Sequence, residues 1–223
     1  MCGRFALNRP LEAIGESLFG IPSVGESHAP RYNIPPGTPI PAFRSADEHA
    51  EAAVLDWPIW GFKPRWADTD GPAPINARAE RVATTPYFKR AFSQRRCLIP
   101  ASGFFEWRQE QTGKQPYFIT LRDGDPDGVM LLAGLWEWID EHQTCCAILT
   151  EPTSPALRTI HDRQPVILDP ACRWDWLEPA LTEREAIRNA ARRLDPARLT
   201  LWPVSARVNK SDNDDAELLA PCV

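Results

Sequence analysis

Residues 97–149 read CLIPASGFFEWRQEQTGKQPYFITLRDGDPDGVMLLAGLWEWIDEHQTCCAIL, and this stretch decides the fold class. Apolar and aromatic runs recur along it: Cys97 to Ile99, Phe104 to Arg108, Tyr117 to Leu121, Met130 to Trp138 and Thr144 to Leu149. Turn signals separate them, among them Thr112-Gly113 and Asp123-Gly124-Asp125-Pro126. Short runs of β-forming residues punctuated this way predict consecutive antiparallel strands.

Outward from this block the period changes. Leu11, Ile14, Leu18 and Phe19 recur at helical spacing and predict a helix over residues 10–19. A strand is expected from Val54 to Ile59, inside a proline-punctuated region. A helix is expected from Thr85 to Gln94, with Tyr87, Phe88, Ala91 and Phe92 on its apolar side and Lys89, Arg90, Arg95 and Arg96 on or beyond its polar side. That basic face reads equally as a solvated surface or a phosphate contact. Downstream, Thr182 and Glu185 have the spacing of a capping box ahead of Ala186, Ile187, Ala190, Ala191 and Leu194, and Leu199 to Val204 reads as a last strand. With no internal repeat, the expected class is α+β: one domain over residues 1–223, mainly antiparallel strands forming a curved, barrel-like core with a few flanking helices.

Composition narrows the function classes. A hydrophobic content of 43% with nine Trp excludes a disordered chain, and the 23 prolines are scattered among aromatic segments rather than gathered into a linker. The net charge of −5 does not point to nucleic acid. Its distribution is uneven: residues 1–120 hold 14 Lys/Arg against 12 Asp/Glu, whereas residues 121–223 hold 11 against 18, which leaves room for a locally basic groove. The opening residues lack the apolar core of a secretory signal, and no segment approaches the ~20 apolar residues that span a bilayer, so a cytoplasmic protein without a membrane partner is expected. Six cysteines without a C-x-x-C pair suggest neither a metal site nor a disulfide scaffold; no cofactor is expected, and five of the six read as ordinary thiols.

The sixth, Cys2, carries the chemistry. Its small side chain permits removal of Met1, which would leave a mature chain, residues 2–223, beginning with an α-amine and a thiol on adjacent carbons. With reference pKa values near ~8 and ~8.5, a useful fraction of each is nucleophilic at neutral pH. An aldehyde condenses with such an amine to an imine, which the thiolate attacks to close a five-membered thiazolidine.

Three further segments accompany it. Ile75-Asn76-Ala77-Arg78-Ala79-Glu80 sets an amide, a guanidinium and a carboxylate on alternate positions, which in an extended segment share one side; Arg78 and Glu80 could also simply pair. Gly103-Phe104-Phe105-Glu106-Trp107 places a carboxylate in an aromatic strand, where a charge is costly unless paired or protonated. Thr159-Ile160-His161-Asp162-Arg163-Gln164-Pro165 supplies a histidine beside an arginine in a turn before an apolar strand. Taken singly, each has a purely structural explanation.

Together these segments resemble the SRAP family, the SOS-response-associated peptidase or abasic-site-processing proteins, over essentially the whole length. The resemblance rests on Met1-Cys2-Gly3-Arg4, Arg31 to Pro36, Trp60 to Trp66, Ile75 to Glu80, Gly103 to Trp107, His161 to Pro165, and Val204-Ser205 with Val208-Asn209, in that order. Gln164 departs from the Met more usual in the family at that place. The resemblance implies a DNA groove over an active site of Cys2, Asn76, Glu106 and His161, acting on abasic sites in single strands or at single/double-strand junctions. It implies Glu106 as a raised-pKa acid, His161 as a proton carrier at the sugar oxygen and Asn76 as an orienting amide. Arg4, Arg78 and Arg163 are then candidate phosphate contacts and Trp66 a stacking surface. Weak abasic-site lyase activity and self-processing of Met1 are corollaries, and the expected state is a monomer, associated with the nucleoid when on DNA.

Two other functions fit parts of the pattern. One is a thiol hydrolase or peptidase, with Cys2 served by its own amine or by His161. Class II glutamine amidotransferases also begin Met-Cys-Gly, although Arg4 stands here in place of their usual aliphatic residue and no synthase domain follows. The other is a non-catalytic single-strand binding module built on the aromatics and arginines.

Overall fold

The computed structural model describes residues 2–21, 28–46, 52–67, 70–111, 113–125 and 128–222. The first half of the chain contributes β1 (Phe5–Leu7), α1 (Leu11–Phe19), β2 (Arg31–Ile34), β3 (Ala42–Ser45), β4 (Ala53–Asp56), β5 (Ile59–Trp60), β6 (Asn76–Arg78) and α2 (Lys89–Gln94). The strand-rich centre follows as β7 (Arg96–Ala101), β8 (Gly103–Glu110), β9 (Gly113–Leu121), β10 (Met130–Trp138) and β11 (Thr144–Pro152). The chain then runs through β12 (Arg163–Pro165), β13 (Ile167–Leu168), α3 (Arg173–Leu177), α4 (Arg184–Ala190) and β14 (Leu199–Pro203), with short 3-10 turns between them.

These strands build two sheets. The smaller has the order β14-β9-β8-β1-β2; the larger runs β12-β11-β10-β7-β3-β4, with β13 on β10 and both β5 and β6 on β11. Pairings are antiparallel except for β5 and β6, which lie parallel to β11. The α+β class with mainly antiparallel strands is therefore what the sequence led us to expect. Among the described residues no helix is long and apolar enough to cross a membrane.

Two topological facts place the site. The N-terminal β1 is an internal strand of the smaller sheet, held between β8 (Phe5 opposite Phe104) and β2 (Phe5 opposite Ile34), so the residues just before it are fixed against β8. The end of β11 is flanked on both sides: Thr150 pairs with Arg78 of β6 and with Pro165 of β12, which brings segments 76–78 and 163–165 together.

Period-two alternation along β8 sorts its side chains. Phe104 packs in the main core with Cys2, Phe5 and Ile119, whereas Phe105 and Trp107 join a second cluster with Phe118, Val204, Val208 and Leu218. Glu106 shares the parity of Phe104 and so faces inward. Gly103 opens this strand because a Cβ there would lie 2.6 Å from the Ile119 carbonyl oxygen; β9 packs too close for any side chain.

Several local expectations are corrected. The strand expected from Val54 to Ile59 is two strands, split at Trp57-Pro58, since proline cannot donate to a ladder. The second helix spans only Lys89–Gln94, preceded by turns through Thr85. Arg96 is not on a polar face: it is buried at the head of β7, its guanidinium donating to the carbonyls of Phe92, Ser93, Trp176 and Glu178. The capping box does not form. The helix starts at Arg184 after Glu183, with no side-chain cap, and stops at Ala190, which leaves Leu194 outside it. The turns expected at Thr112-Gly113 and Asp123 to Pro126 fall partly outside the described residues, at 112 and 126.

Candidate active site

Cys2 is completely buried, its thiol beside the backbone N–H of Arg4. Burial foremost, and the nearby Glu106 carboxylate next, push that thiol far above the ordinary thiol range. From the other sheet, the Asn76 side-chain Nδ2 donates to the Cys2 carbonyl oxygen at 2.8 Å. Asn76 sits opposite Ile148 in the β6–β11 ladder, so its position derives from the sheet and not from a loop. Its Oδ1 is buried and has no hydrogen-bond partner among the described residues. A buried unsatisfied amide oxygen costs about 1–3 kcal/mol.

Glu106 is 3% exposed. Desolvation raises its carboxyl above the usual carboxylate range, opposed by positive charge around it, that of His161 included, and by the backbone N–H of Trp107. His161 and Glu106 line one cavity of ≈ 420 Å³ with Trp107, Lys114 and Asn209. The imidazole is set by its own chain: Nδ1 accepts the Arg163 backbone N–H at 3.0 Å, which in the neutral ring leaves the proton on Nε2. The same Nδ1 lies 2.8 Å from Asp162 Oδ1. The four residues expected to carry chemistry are thus connected: Cys2 to Asn76 by a hydrogen bond, Cys2 to Glu106 and Glu106 to His161 by charge.

The expected DNA contacts divide by how committed they are. Arg78 is exposed and its side chain has no hydrogen bond or ion pair among the described residues; with Asn76, Arg81, Thr84, Thr85 and Phe88 it lines a cleft of ≈ 550 Å³. Trp66, 51% exposed, stands edge-on to Tyr87, with ring centroids 5.3 Å apart. Arg4 and Arg163 are committed within the fold. Arg4 Nη1 donates to Asn33 Oδ1 (2.7 Å) and the Val208 carbonyl (2.8 Å). Arg163 makes a two-pronged pair with Glu80 and donates to the Thr150 carbonyl at 2.7 Å. Asn76 and Arg78 do share a side, but Glu80 lies beyond the strand in a turn, and its partner is Arg163 and not Arg78. Arg81, Trp107, Lys114 and Asn209 border the two clefts without having been assigned a role from sequence. For Trp107 and Asn209 the signal was available, since both lie in the motifs that carry the family resemblance.

All six cysteines are free thiols, five of them buried. Among the described residues no cluster of three or more His, Cys, Asp or Glu side chains could hold a metal ion.

Comparison with known proteins shows the family of the chain. Residues 1–211 match the family model described as SOS response associated peptidase (SRAP). The abasic site processing protein YedK of Escherichia coli K12 is 35% identical over 227 residues, covering 99% of this chain and 100% of that protein. YoaM of Bacillus subtilis, which carries the same description, is 34% identical over 98% of this chain and 97% of its own length. Among solved structures, a phage-related protein of Bordetella bronchiseptica is 32% identical with a TM-score of 0.70, covering 91% of this chain and 94% of that one. A protein of Bacteroides thetaiotaomicron shares the fold at a TM-score of 0.80 and 22% identity, each chain fully covered.

Proposed function

The chain belongs to the SRAP family, and on that premise we propose that it processes abasic sites in DNA by capturing the ring-opened deoxyribose aldehyde on Cys2 as a thiazolidine. The relatives' description as abasic site processing proteins supports the substrate. The observation that supports the covalent step is the Asn76 amide hydrogen-bonded to the Cys2 carbonyl, with Glu106 near enough to Cys2 to act on its charge and sharing a cavity with His161.

While Met1 is attached, the nitrogen of Cys2 is an amide and cannot condense with a carbonyl. Its removal frees the amine, and the steps then balance. The amine adds to the aldehyde carbon and one water leaves, giving an imine; the thiolate adds to the imine carbon, and the nitrogen takes up a proton as the ring closes. Glu106, its pKa raised by burial, donates to the sugar ring oxygen as the ring opens and then manages the proton of the amine. His161 carries protons at the sugar hydroxyl, and Asn76 holds the Cys2 backbone so that nitrogen and sulfur face the same carbon. Arg78 and Trp66 serve the strand, by charge and by stacking, in single-stranded DNA.

The product protects the strand. An open abasic aldehyde loses its 3′ phosphate because the carbonyl acidifies the neighbouring carbon, and a saturated ring removes that acidity. An imine that is not trapped by sulfur gives strand cleavage, so a weak lyase activity accompanies capture. The direct test is a denaturing gel of processed protein with a single-stranded oligonucleotide carrying one abasic site. A retarded band is expected there and none with the intact base; bands with both, or with neither, would refute the proposal.

A further inference from the structure

The cavity that holds Glu106 and His161 has a second wall, made by Trp107, Lys114 and Asn209. Asn209 is exposed, yet its placement is tightly determined. The residue before it, Val208, is buried, and its carbonyl accepts from both Arg4 Nη1 (2.8 Å) and Asn33 Nδ2 (3.2 Å). Asn33 Nδ2 also donates to the carbonyls of Lys210 (3.0 Å) and Asn213 (2.7 Å), so a fully buried amide grips the turn from below.

The orientation of the Asn209 amide follows from its one partner. Trp107 Nε1–H donates to Asn209 Oδ1 at 2.8 Å, and an indole nitrogen is a donor only, so the oxygen must face Trp107 and the NH₂ must face away. That NH₂ has no partner among the described residues. Lys114 likewise has no hydrogen bond or ion pair among the described residues, whereas Arg108 is paired with Glu110 and lies over Tyr117, and Arg207 is paired with Asp215 and Glu217. The cavity rim therefore offers an oriented neutral donor and a cation, Lys114, without a partner among the described residues, a combination suited to a phosphate oxygen.

We propose that Asn209 and Lys114 bind a phosphodiester flanking the abasic sugar, and so fix the register in which the aldehyde reaches Cys2. The assignment rests on the abasic-DNA reading above and makes these two residues positioning residues. It also gives the Trp107–Asn209 pair a purpose, since the indole serves to aim the amide.

The test is equilibrium binding, by fluorescence anisotropy, of a single-stranded oligonucleotide carrying a tetrahydrofuran abasic analogue, which has no aldehyde and cannot form an adduct. Asn209→Asp keeps an acceptor for Trp107 and replaces the NH₂ by negative charge; it should weaken binding by about tenfold or more. Lys114→Glu, on an exposed strand end, should weaken binding in the same direction and serves if the first variant perturbs folding. A neutral methylphosphonate is then placed 5′ or 3′ of the analogue. At one of the two positions it should weaken the wild type while leaving N209D unchanged, which also identifies the phosphate contacted. Binding by both variants within twofold of wild type, equal penalties in wild type and N209D at both positions, or no binding by the wild type would overturn the assignment. Adduct formation is scored separately on an aldehyde-bearing oligonucleotide, so a sound phosphate contact without an adduct defeats only the covalent reading.

Discussion

The side-chain amide of Asn76 donates to the backbone carbonyl of Cys2 at 2.8 Å, joining a strand of the larger sheet to the segment that leads into β1, an internal strand of the smaller one. The bond spans 74 positions of sequence and restrains Cys2, the proposed nucleophile, from the other sheet. Asn76→Asp would set an oxygen against that carbonyl, while Asn76→Ala would remove the restraint. Both should slow adduct formation by about tenfold or more, at a stability cost of about 1 kcal/mol in the alanine variant. Single-turnover rates alongside urea melts check this; a rate that falls only in proportion to lost folded protein would assign Asn76 a structural role alone.

Glu106 provides a pH signature with a definite sign. Burial raises its folded-state pKa above the unfolded value of 4.5, so the folded protein binds the proton more tightly. The stability this gives is complete below pH 4.5 and is lost as pH rises through the folded-state pKa. Glu106→Gln lacks that dependence, so the stability of wild type relative to E106Q should decline with rising pH across that window. The adduct rate of E106Q should be reduced with analogue binding retained. Parallel stability curves for the two proteins would contradict the assignment.

The two arginines near β11 should behave differently. Arg78→Ala removes an uncommitted surface cation: stability should change by no more than about 0.5 kcal/mol, and the salt dependence of single-strand binding should become shallower by about 0.7 in log–log slope. Arg163→Ala removes a grip on Glu80 and Thr150 beside the turn that sets His161, and should cost about 2 kcal/mol of stability. Urea melts and a salt titration of both variants test the contrast, and equal melting losses would contradict it.

Trp66 should matter only to binding. It is exposed and touches Tyr87 edge-on, so Trp66→Ala should leave the melting temperature nearly unchanged. If the indole stacks on a base, the variant should lose about 1–3 kcal/mol of affinity for single strands. Unchanged affinity would remove it from the DNA path.

What the sequence discloses, and what it does not, follows the range of the interactions. Apolar and aromatic runs set off by turn signals in residues 97–149 were enough to predict the central strands, and the period-two alternation of β8 explains why Glu106 faces the main core while Trp107 joins the second cluster. Met1-Cys2-Gly3-Arg4 pointed to Cys2 as the candidate nucleophile through its aminothiol chemistry together with the segments around Asn76, Glu106 and His161. Pairings across long separations had no local signature: Glu80 with Arg163, Arg96 with the carbonyls of Trp176 and Glu178, Asn33 with the turn at Val208. The capping box failed for a related reason, because spacing shows that Thr182 and Glu185 could reach each other but not where the chain enters the helix. The candidate DNA contacts show the same limit: sequence named four side chains, and only the fold separates the uncommitted Arg78 and Trp66 from Arg4 and Arg163, whose guanidiniums are engaged by the protein itself.

Intact mass spectrometry of the protein incubated with an abasic single-stranded oligonucleotide, without added reductant, tests the central claim most directly. The account predicts one species whose mass is that of the chain beginning at Cys2 plus the oligonucleotide less one water, absent from Cys2→Ala and from protein that keeps Met1. An adduct of equal yield on Cys2→Ala, or on protein retaining Met1, would contradict it.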